Sequence, residues 1–198
     1  MKIIGITGPI ASGKNEVCRI LRHRGAYILD VDEIGYRLLQ SDTAIKRKLV
    51  KLLGPSIISR NHNLNRHLLA NIVFKDRSKL RKLEKMIHPS MVREVKKELL
   101  RVKGHRVVGS RDKQSYVVIN AAILKRMKLD KLCDEIWVVL AKKEIRLKRL
   151  LKKGLTKKTA LARMRAQPSE REYRKIANKI ILNNKDVVSL RKQLQQVN

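Results

Sequence analysis

The sequence is poor in cysteine, aromatic residues and acidic residues. Its two cysteines, Cys18 and Cys133, lie far apart in the 198-residue chain and fit no metal-binding spacing, which indicates reduced thiols. Aromatic residues make up only 3% of the chain, so the core should be mainly aliphatic. There is no run of about 18 apolar residues that could cross a membrane, and no secretory signal pattern. We therefore expect a cytoplasmic protein that makes no contact with membranes.

The shortage of acidic residues leaves the chain strongly basic. It has 48 Lys and Arg against 17 Asp and Glu, a formal net charge of +31. Such an excess steers polyphosphate substrates toward a protein and is compatible with binding to nucleic acid. The basic residues are spread along the whole chain, however, and no aromatic-rich or zinc-finger recognition motif accompanies them. Any nucleic-acid binding should therefore be non-specific, and most of the charge should be solvated surface.

Short apolar runs alternate with segments of helical period along the chain. Strands are predicted at Lys2–Thr7, Ala26–Asp30, Tyr116–Asn120, Glu135–Leu140 and Lys179–Leu182. A Gly-rich segment and a helix from Lys14 to about Gly25 separate the first two strands, so the chain opens with a βαβ unit. This order predicts an α/β fold with a mostly parallel sheet of about five strands. With no linker in sight, residues 1–198 should form a single unit.

Two helical segments interrupt the predicted α/β core. One occupies most of the eighty residues between the second and third strands, where 76–102 carries a single apolar stripe. The stripe consists of Leu80, Leu83, Ile87, Met91 and Val95. Pro89 is expected to kink or interrupt this helix, and 104–115 should be a polar loop. The other segment, 142–176, is rich in Arg and Lys and should break at Gly154 and Pro168.

A phosphate-binding pattern, G-x-x-x-x-G-K, follows the first strand. It reads Gly8-Pro9-Ile10-Ala11-Ser12-Gly13-Lys14-Asn15 and is followed by Glu16 at the helix start. Glycines let the backbone curl so that its N–H groups point at phosphate oxygens, and Lys14 reaches the β- and γ-phosphates. Asn15 stands where a Ser or Thr hydroxyl normally binds Mg²⁺, and its amide oxygen is a weaker candidate ligand. The place of the pattern between a strand and a helix start favours an ATP site over an ordinary Gly-rich turn. The expected cofactors are ATP and Mg²⁺.

Two acidic residues, Asp30 and Asp32, come at the end of the second strand. Ligands of parallel α/β sheets lie beyond the carboxyl ends of the strands, so both side chains should border the phosphate-binding pattern. A carboxylate there can accept the proton of an acceptor hydroxyl or hold Mg²⁺ through water. Either residue could instead cap the helix that begins near Glu33. Position alone does not decide between these roles.

Several segments of the sequence, taken together, resemble the dephospho-coenzyme A kinases. The matching segments are Gly5–Lys14, Leu29–Asp32, an L-x-R-x-x-L-x-x-x-x-F stretch that contains Arg66 and ends at Phe74, the L-E-x-x-x-H-P segment Leu83–Pro89, Leu147–Leu150, Ala162–Gln167 and Ile181–Asn184. These segments follow one another in the family's order over nearly the whole chain. That colinearity is more specific than any single motif.

The resemblance implies a three-layer P-loop kinase fold, with a helical acceptor-binding insertion at about 55–105 and a helical lid at about 142–172. It implies transfer of the γ-phosphoryl of ATP to the ribose 3′-hydroxyl of dephospho-CoA, the last step of coenzyme A biosynthesis. The implied roles are Asp32 as general base, Lys14 and Arg149 as further catalytic residues, Arg149 and Arg163 at the ATP phosphates, Asn183 near the adenine, and Arg66, His88 and Asp32 on the acceptor side. His88 could equally be a structural residue that ends a helix.

Five positions depart from the family pattern. They are Asn15, Arg126 in place of an acidic residue, Lys153 in place of Arg, Asn178 in place of Asp and Lys185 in place of Gly. The alternatives are a degenerate P-loop protein that binds nucleotide or nucleic acid non-specifically, or a kinase for another nucleoside or nucleotide. Lys14 and Asp32 favour the enzyme, and the long insertion suits an acceptor larger than a mononucleotide.

Overall fold

The computed structural model describes residues 1–59, 61, 63–104 and 116–195. Within these ranges, five strands form one parallel sheet in the order β2-β3-β1-β4-β5. The strands are β1 Lys2–Thr7, β2 Tyr27–Asp30, β3 Tyr116–Asn120, β4 Glu135–Leu140 and β5 Lys179–Leu182. The predicted strands are confirmed, the second beginning one residue later than expected.

Nine α-helices are found in the described part of the chain. They are α1 Lys14–Arg22, α2 Val31–Ser41, α3 Thr43–Leu53, α4 Arg66–Val73, α5 Arg77–Gly104, α6 Lys143–Lys152, α7 Lys157–Arg165, α8 Glu170–Arg174 and α9 Val187–Gln195. The breaks predicted near Gly154 and Pro168 are confirmed by the gaps between α6, α7 and α8. The predicted polar loop lies, beyond Gly104, outside the described residues.

The long helix α5 continues through Pro89, so the expected interruption there is wrong. Proline removes one backbone N–H donor from the helix ladder. On either side of it, however, Ile87 and Met91 are buried in the core beneath the sheet, and Pro89 itself is exposed. Burial of the apolar stripe therefore outweighs the loss of a single hydrogen bond.

Side chains of the sheet alternate between two aliphatic cores, one on each face. In β1, Ile3 packs with α2 and α5, whereas Ile4 and Ile6 pack against α1 and α9. This two-residue period covers both faces with helices and produces three layers. The carboxyl ends of the strands are consequently left as the accessible edge of the molecule.

A second, smaller core lies in the helical segment between β2 and β3. It is formed by α3, α4, the start of α5 and a short 3₁₀ turn, Pro55–Ile57. Its buried members are Ile45, Leu49, Ile57, Leu64, Leu69 and Val73. The core includes α3 and so begins before residue 55. Its role as the acceptor-binding insertion stays a prediction.

The open edge of the sheet at β5 is partly covered by the side chain of Gln193. Its Nε2 donates to the carbonyl oxygen of Leu182 at 2.9 Å, and its Oε1 accepts from the Leu182 N–H at 3.1 Å. The Leu182 side chain is 47% exposed. Among the described residues, no helix is long and apolar enough to cross a membrane.

Candidate active site

A cleft of about 950 Å³ opens at the carboxyl ends of the strands. One wall is the phosphate loop, which we define as Gly8–Asn15, and the opposite wall comes from α2, α4 and α5. A third side is formed by α6 and α7, which together with α8 make up the segment predicted as a lid, called the lid segment below. The cleft thus brings together three segments that the sequence predicted to be functional.

Two glycines are required by the shape of the phosphate loop. Gly8 has a φ of +143°, and a Cβ there would lie 2.1 Å from the carbonyl oxygen of Val139. Gly13 has a φ of +103°, and a Cβ would lie 1.9 Å from the Asn183 side-chain nitrogen. That nitrogen donates to the Ser12 carbonyl at 2.9 Å, so Asn183 holds the loop directly. Neither glycine can be replaced without moving the loop.

Lys14 begins α1 and folds back over the phosphate loop. Its Nζ donates to the carbonyl oxygens of Gly8 at 2.8 Å and Pro9 at 3.3 Å, and the residue is only 8% exposed. Burial lowers the pKa of Lys14, and the carboxylate of Asp32 opposes that shift. A buried cation beside a helix N-terminus favours an anionic ligand, because phosphate oxygens can replace the weaker carbonyl acceptors.

Asp30 is the residue that caps α2, which settles the choice the sequence left open. Its Oδ1 accepts from the N–H groups of Asp32 and Glu33, each at 3.1 Å. Its Oδ2 accepts from the side-chain amide of Asn120 at 3.1 Å. Both oxygens of Asp30 are therefore used to hold local structure.

Asp32, in contrast, points into the cleft. Within the described ranges its carboxylate accepts no hydrogen bond, and it is open to the water of the cleft although protein surrounds it on several sides. The surrounding protein raises the pKa of Asp32, and the nearby Lys14 ammonium opposes this effect. An unpaired carboxylate with a raised pKa, near the lysine of the phosphate loop, has the properties of a general base.

The oxygen atoms near the phosphate loop suit a magnesium ion that arrives with the nucleotide. Asn15 Oδ1 accepts from the Asn120 amide at 3.3 Å, and Asp32 also faces the cleft. Amide and carboxylate oxygens are ligands that Mg²⁺ accepts, usually with water and phosphate completing the shell. Within the described ranges, no group of three or more His, Cys, Asp or Glu could hold a metal alone. The residues therefore fit Mg²⁺ held mainly by phosphate.

Arg149 in α6 is bound to the protein backbone. Its Nη1 donates to the carbonyl oxygens of Ala11 at 3.1 Å and Ser12 at 3.2 Å. Its Nη2 donates to the backbone and side-chain oxygens of Asn183, at 3.0 and 3.3 Å. Arg149 thus fixes the phosphate loop against the Asn183 segment, and its direct contact with ATP phosphates stays a prediction.

The other cationic candidates lie across the cleft from the phosphate loop. Arg163 lies over the Phe74 ring at 5.2 Å, and burial, aided by the positive charge of Arg66, lowers its pKa. Arg66 itself lies over the Tyr36 ring at 4.8 Å, a cation–π contact that fixes its direction. Tyr36 was not identified from the sequence, since a single Tyr in a helix carries no signal.

The lid segment contacts both walls of the cleft. Gln167 accepts a hydrogen bond through Oε1 from the Ile10 N–H at 2.5 Å. Arg77, at the start of α5, donates through Nη2 to the Arg165 carbonyl at 3.3 Å. Gln167 was part of a matched segment but was not predicted as a site residue. Its contact makes it a link between the lid segment and the phosphate loop.

Comparison with known proteins agrees with this geometry. The family model for dephospho-CoA kinase matches residues 2–189. The dephospho-CoA kinase of Carboxydothermus hydrogenoformans is 34% identical over 195 residues, which cover 98% of this chain and 91% of that protein. That of Dehalococcoides mccartyi is 35% identical over 187 residues, 93% of this chain and 89% of that protein. This chain belongs to the dephospho-CoA kinase family.

Solved structures give the same assignment of the fold. A Thermus thermophilus protein of known crystal structure is 31% identical, with a TM-score of 0.74, and the match covers 99% of this chain and 95% of that one. Campylobacter jejuni dephospho-CoA kinase is 21% identical, with a TM-score of 0.66, and the match covers 100% of this chain and 96% of that one. Acinetobacter baumannii shikimate kinase is 17% identical, with a TM-score of 0.52, and the match covers 100% of this chain and 93% of that one. The predicted P-loop kinase fold is confirmed.

Within this dephospho-CoA kinase fold, His88 lies in the middle of α5 and lines the cleft. The alternative that it ends a helix is therefore wrong, since burial of α5 carries the helix past Pro89. Burial lowers the pKa of His88; Glu84 raises it and Arg126 lowers it further. Arg126 donates to Glu84 Oε1 at 3.2 Å. The unusual basic residue is thus paired with an acidic residue of the L-E-x-x-x-H-P segment.

The remaining departures from the kinase family pattern have simple structural settings. Asn178 Oδ1 accepts from the Ile136 N–H at 2.7 Å, and an aspartate oxygen would accept the same bond. Lys153 and Lys185 both line the cleft, where each adds positive charge. Glu16 also lines the cleft but pairs with Arg19 at 2.6 Å. None of these residues disturbs the phosphate loop.

Proposed function

We propose that this chain transfers the γ-phosphoryl of ATP to the ribose 3′-hydroxyl of dephospho-CoA, giving ADP and CoA. The observation that carries the proposal is the division of labour between two neighbouring carboxylates. Both carboxylate oxygens of Asp30 accept hydrogen bonds that hold local structure. The carboxylate of Asp32 is unpaired among the described residues and lies in the same cleft as Lys14. A phosphate-binding lysine and an available base are the two groups that a small-molecule kinase needs.

The nucleotide occupies the side of the cleft formed by the phosphate loop. Lys14 leaves the carbonyls of Gly8 and Pro9 and binds the β- and γ-phosphates, with the N–H groups at the start of α1. Bound Mg²⁺ neutralises part of the phosphate charge. Asn183, fixed by Arg149 and by Ser12, places the adenine end of the nucleotide relative to its phosphates.

The acceptor occupies the opposite side, between Asp32 and α5. Arg66 and His88 supply polar contacts there, and the deeper wall is apolar. Its apolar members include Leu64, Leu69, Val73, Leu83, Ile87 and Met91. Such a mixed surface suits an acceptor with a phosphorylated nucleotide part and a long, weakly polar arm. A bare nucleoside would leave much of this wall uncovered.

Transfer needs the acceptor oxygen in line with the γ-phosphorus and a group that takes its proton. Asp32 accepts that proton as the new P–O bond forms and the bond to ADP breaks. The lid segment contacts both walls, through Gln167 to the Ile10 N–H and through the Arg165 carbonyl to Arg77 of α5, and so borders the reacting groups on a third side. The protein thus acts by positioning and by charge neutralisation.

The test is a steady-state assay of ADP release, with dephospho-CoA, adenosine and AMP compared as acceptors. We expect turnover with dephospho-CoA only, and a loss of kcat of roughly 10²–10⁴-fold for Asp32→Asn. Glu33→Gln is the matched control, because Glu33 is the adjacent exposed carboxylate and does not line the cleft. Equal turnover with all three acceptors, or a fully active Asp32→Asn protein, would contradict the proposal. Residence in the cytoplasm stays a prediction.

A further inference from the structure

The side chain of Asn15 is the outer member of a row of three polar residues. The row begins at Asp30, which ends β2 and pairs with Asn120 of β3 in the register of the sheet. Asn120 Nδ2 donates to Asp30 Oδ2 at 3.1 Å and to Asn15 Oδ1 at 3.3 Å. The polar row Asp30–Asn120–Asn15 therefore runs from the end of the sheet to the first turn of α1.

The carboxylate of Asp30 determines the direction of both amides in this row. An ionised carboxylate can only accept hydrogen bonds, so the group of Asn120 that faces Asp30 must be its nitrogen. That nitrogen carries a second hydrogen, which is directed to Asn15, and the facing group of Asn15 must then be its oxygen. The Asn15 amide is thus held with its oxygen toward Asn120 and its nitrogen away from it.

Asn120 keeps this direction although one of its own atoms is left without a partner. The residue is only 2% exposed, and its Oδ1 is buried without a donor among the described residues. A buried acceptor without a donor is unfavourable. Turning the amide around would be worse, because Oδ1 would then face the carboxylate of Asp30. The direction of Asn15 is therefore fixed by a buried partner and not by solvent.

The nitrogen of Asn15 is consequently available to a ligand. Within the described ranges Nδ2 forms no hydrogen bond, and Asn15 is exposed and lines the cleft. The residue directly follows Lys14 in the first turn of α1. A side-chain N–H held beside the first backbone N–H groups of a helix is well placed to donate to a phosphate oxygen.

The same geometry makes Asn15 a poor magnesium ligand. A metal ion needs an oxygen, and the oxygen of Asn15 already accepts from Asn120 and faces the buried end of the row. The side of Asn15 that is left free carries only donors. A donor therefore occupies the place where P-loop proteins usually present a metal-binding hydroxyl.

We propose that Asn15 binds the nucleotide as a hydrogen-bond donor, with its Nδ2 donating to an oxygen of the β-phosphate. Asp30 and Asn120 orient the amide for this contact, which requires no metal ion. The β-phosphate is the group that Lys14 and the N–H groups at the start of α1 surround in a P-loop. This inference rests on the proposed function, because it names a contact on the nucleotide side of the cleft.

The experiment measures ADP and ATP binding by calorimetry, first in EDTA and then with Mg²⁺, for the unaltered protein, Asn15→Ala and Asn15→Asp. Asn15→Ala should weaken the metal-free binding of both nucleotides about tenfold, the effect of one lost hydrogen bond to a charged group. Asn15→Asp keeps an oxygen that accepts from Asn120 but replaces the nitrogen by a second oxygen. It should weaken metal-free binding more than Asn15→Ala does, because a negative charge then faces the phosphate.

Asn71→Ala is the matched control, since Asn71 is exposed in α4 and does not line the cleft. Its nucleotide affinities should equal those of the unaltered protein. Unchanged metal-free affinity in Asn15→Ala, with a loss only when Mg²⁺ is present, would show that Asn15 is a metal ligand and would overturn the proposal. Unchanged or tighter metal-free binding in Asn15→Asp would overturn it as well. This second variant decides alone if Asn15→Ala does not fold.

Nucleotide binding needs no acceptor, so this result is separate from the test of the proposed function. If Asn15→Ala loses metal-free affinity while the unaltered protein does not phosphorylate dephospho-CoA, the acceptor assignment fails and the role of Asn15 stands. If dephospho-CoA is phosphorylated and Asn15→Ala binds metal-free ADP normally, the role of Asn15 fails and the reaction stands. The two conclusions can therefore be contradicted independently.

Discussion

Asn120 donates a hydrogen bond from its side-chain amide to Asn15 Oδ1 at 3.3 Å, across 105 residues of sequence. Asn15 follows β1 and Asn120 ends the adjacent strand β3, the two places from which P-loop proteins usually supply a hydroxyl and a carboxylate for Mg²⁺. Here two neutral amides occupy these places and bind each other. The carboxylate of Asp30 also accepts a hydrogen bond from the Asn120 amide.

We expect Asn15→Ser to lower the Mg²⁺ concentration needed for ATP binding by about tenfold, because a hydroxyl ligand replaces an amide already engaged by Asn120. The measurement is a Mg²⁺ titration followed by ATP binding in the absence of acceptor. Asn71→Ser, an exposed change in α4, is the control. An unchanged titration midpoint in Asn15→Ser would show that Asn15 has no part in metal binding.

Asp32 should make the folded protein less stable at neutral pH. Its pKa is raised in the folded state, so the folded protein holds the proton more tightly than the unfolded chain. Stability therefore falls as pH rises from the ordinary value of 3.8 through the raised pKa, and stays reduced above it. Asp32→Asn removes the ionisable group and should raise the denaturation midpoint at pH 7 while it abolishes most activity.

The check is chemical denaturation of both proteins at pH 7 and at pH 3. The difference between them should be present at pH 7 and should shrink at pH 3, where Asp32 is protonated in either state. A lower midpoint for Asp32→Asn at pH 7 would instead indicate that the carboxylate has a structural role. That result would also weaken the assignment of Asp32 as the base, since a structural carboxylate is not free to accept a proton.

Arg126 should control the protonation of His88. Its positive charge lowers the pKa of His88, and Glu84 acts in the opposite direction. Arg126→Gln removes that repulsion, so the pKa of His88 should rise. An NMR titration of the His88 imidazole measures this directly, and Lys125→Gln, which removes an exposed neighbouring charge, is the control. An unshifted His88 in Arg126→Gln would mean that water in the cleft screens the interaction completely.

Gln167 should hold the lid segment onto the phosphate loop. Gln167→Ala removes the acceptor for the Ile10 N–H, a bond worth about 1 kcal/mol, and should weaken ATP binding roughly fivefold. Calorimetry with ATP provides the measurement, and Gln195→Ala, at the exposed end of α9, is the control. If ATP affinity is unchanged while the lid becomes no more accessible to protease, the contact has no effect on closure.

The strands could be predicted from the sequence because each is a compact apolar run between breaks, as in the buried Trp137–Leu140. The phosphate loop was equally clear, since its glycines and Lys14 form one short, continuous pattern in the sequence. The continuation of α5 through Pro89 could not be predicted. Pro89 is a local signal for a break, whereas the burial of Ile87 and Met91 depends on packing against the sheet. Local rules therefore failed where tertiary contacts decide the outcome.

The candidate site shows the same limit. The spacing of Arg146 and Arg149 places them on one face of a helix. It does not show which of the two donates its hydrogen bonds to backbone oxygens. The distinction between Asp30 and Asp32 likewise depends on Asn120, which is 90 residues from Asp30 in sequence. Such partners are brought together by the parallel sheet. Only the fold could reveal them.

The amide of Gln193 has a consequence for how the molecule behaves in a crowded solution. By filling both hydrogen-bonding positions of Leu182, it occupies the place that a strand from another molecule would take. Exposed Ile180 and Leu182 on the same strand would otherwise make this edge a template for self-association. A Gln193→Ala protein would keep the buried Leu190 and Leu194 of α9 in the core and lose this protection against edge-to-edge aggregation.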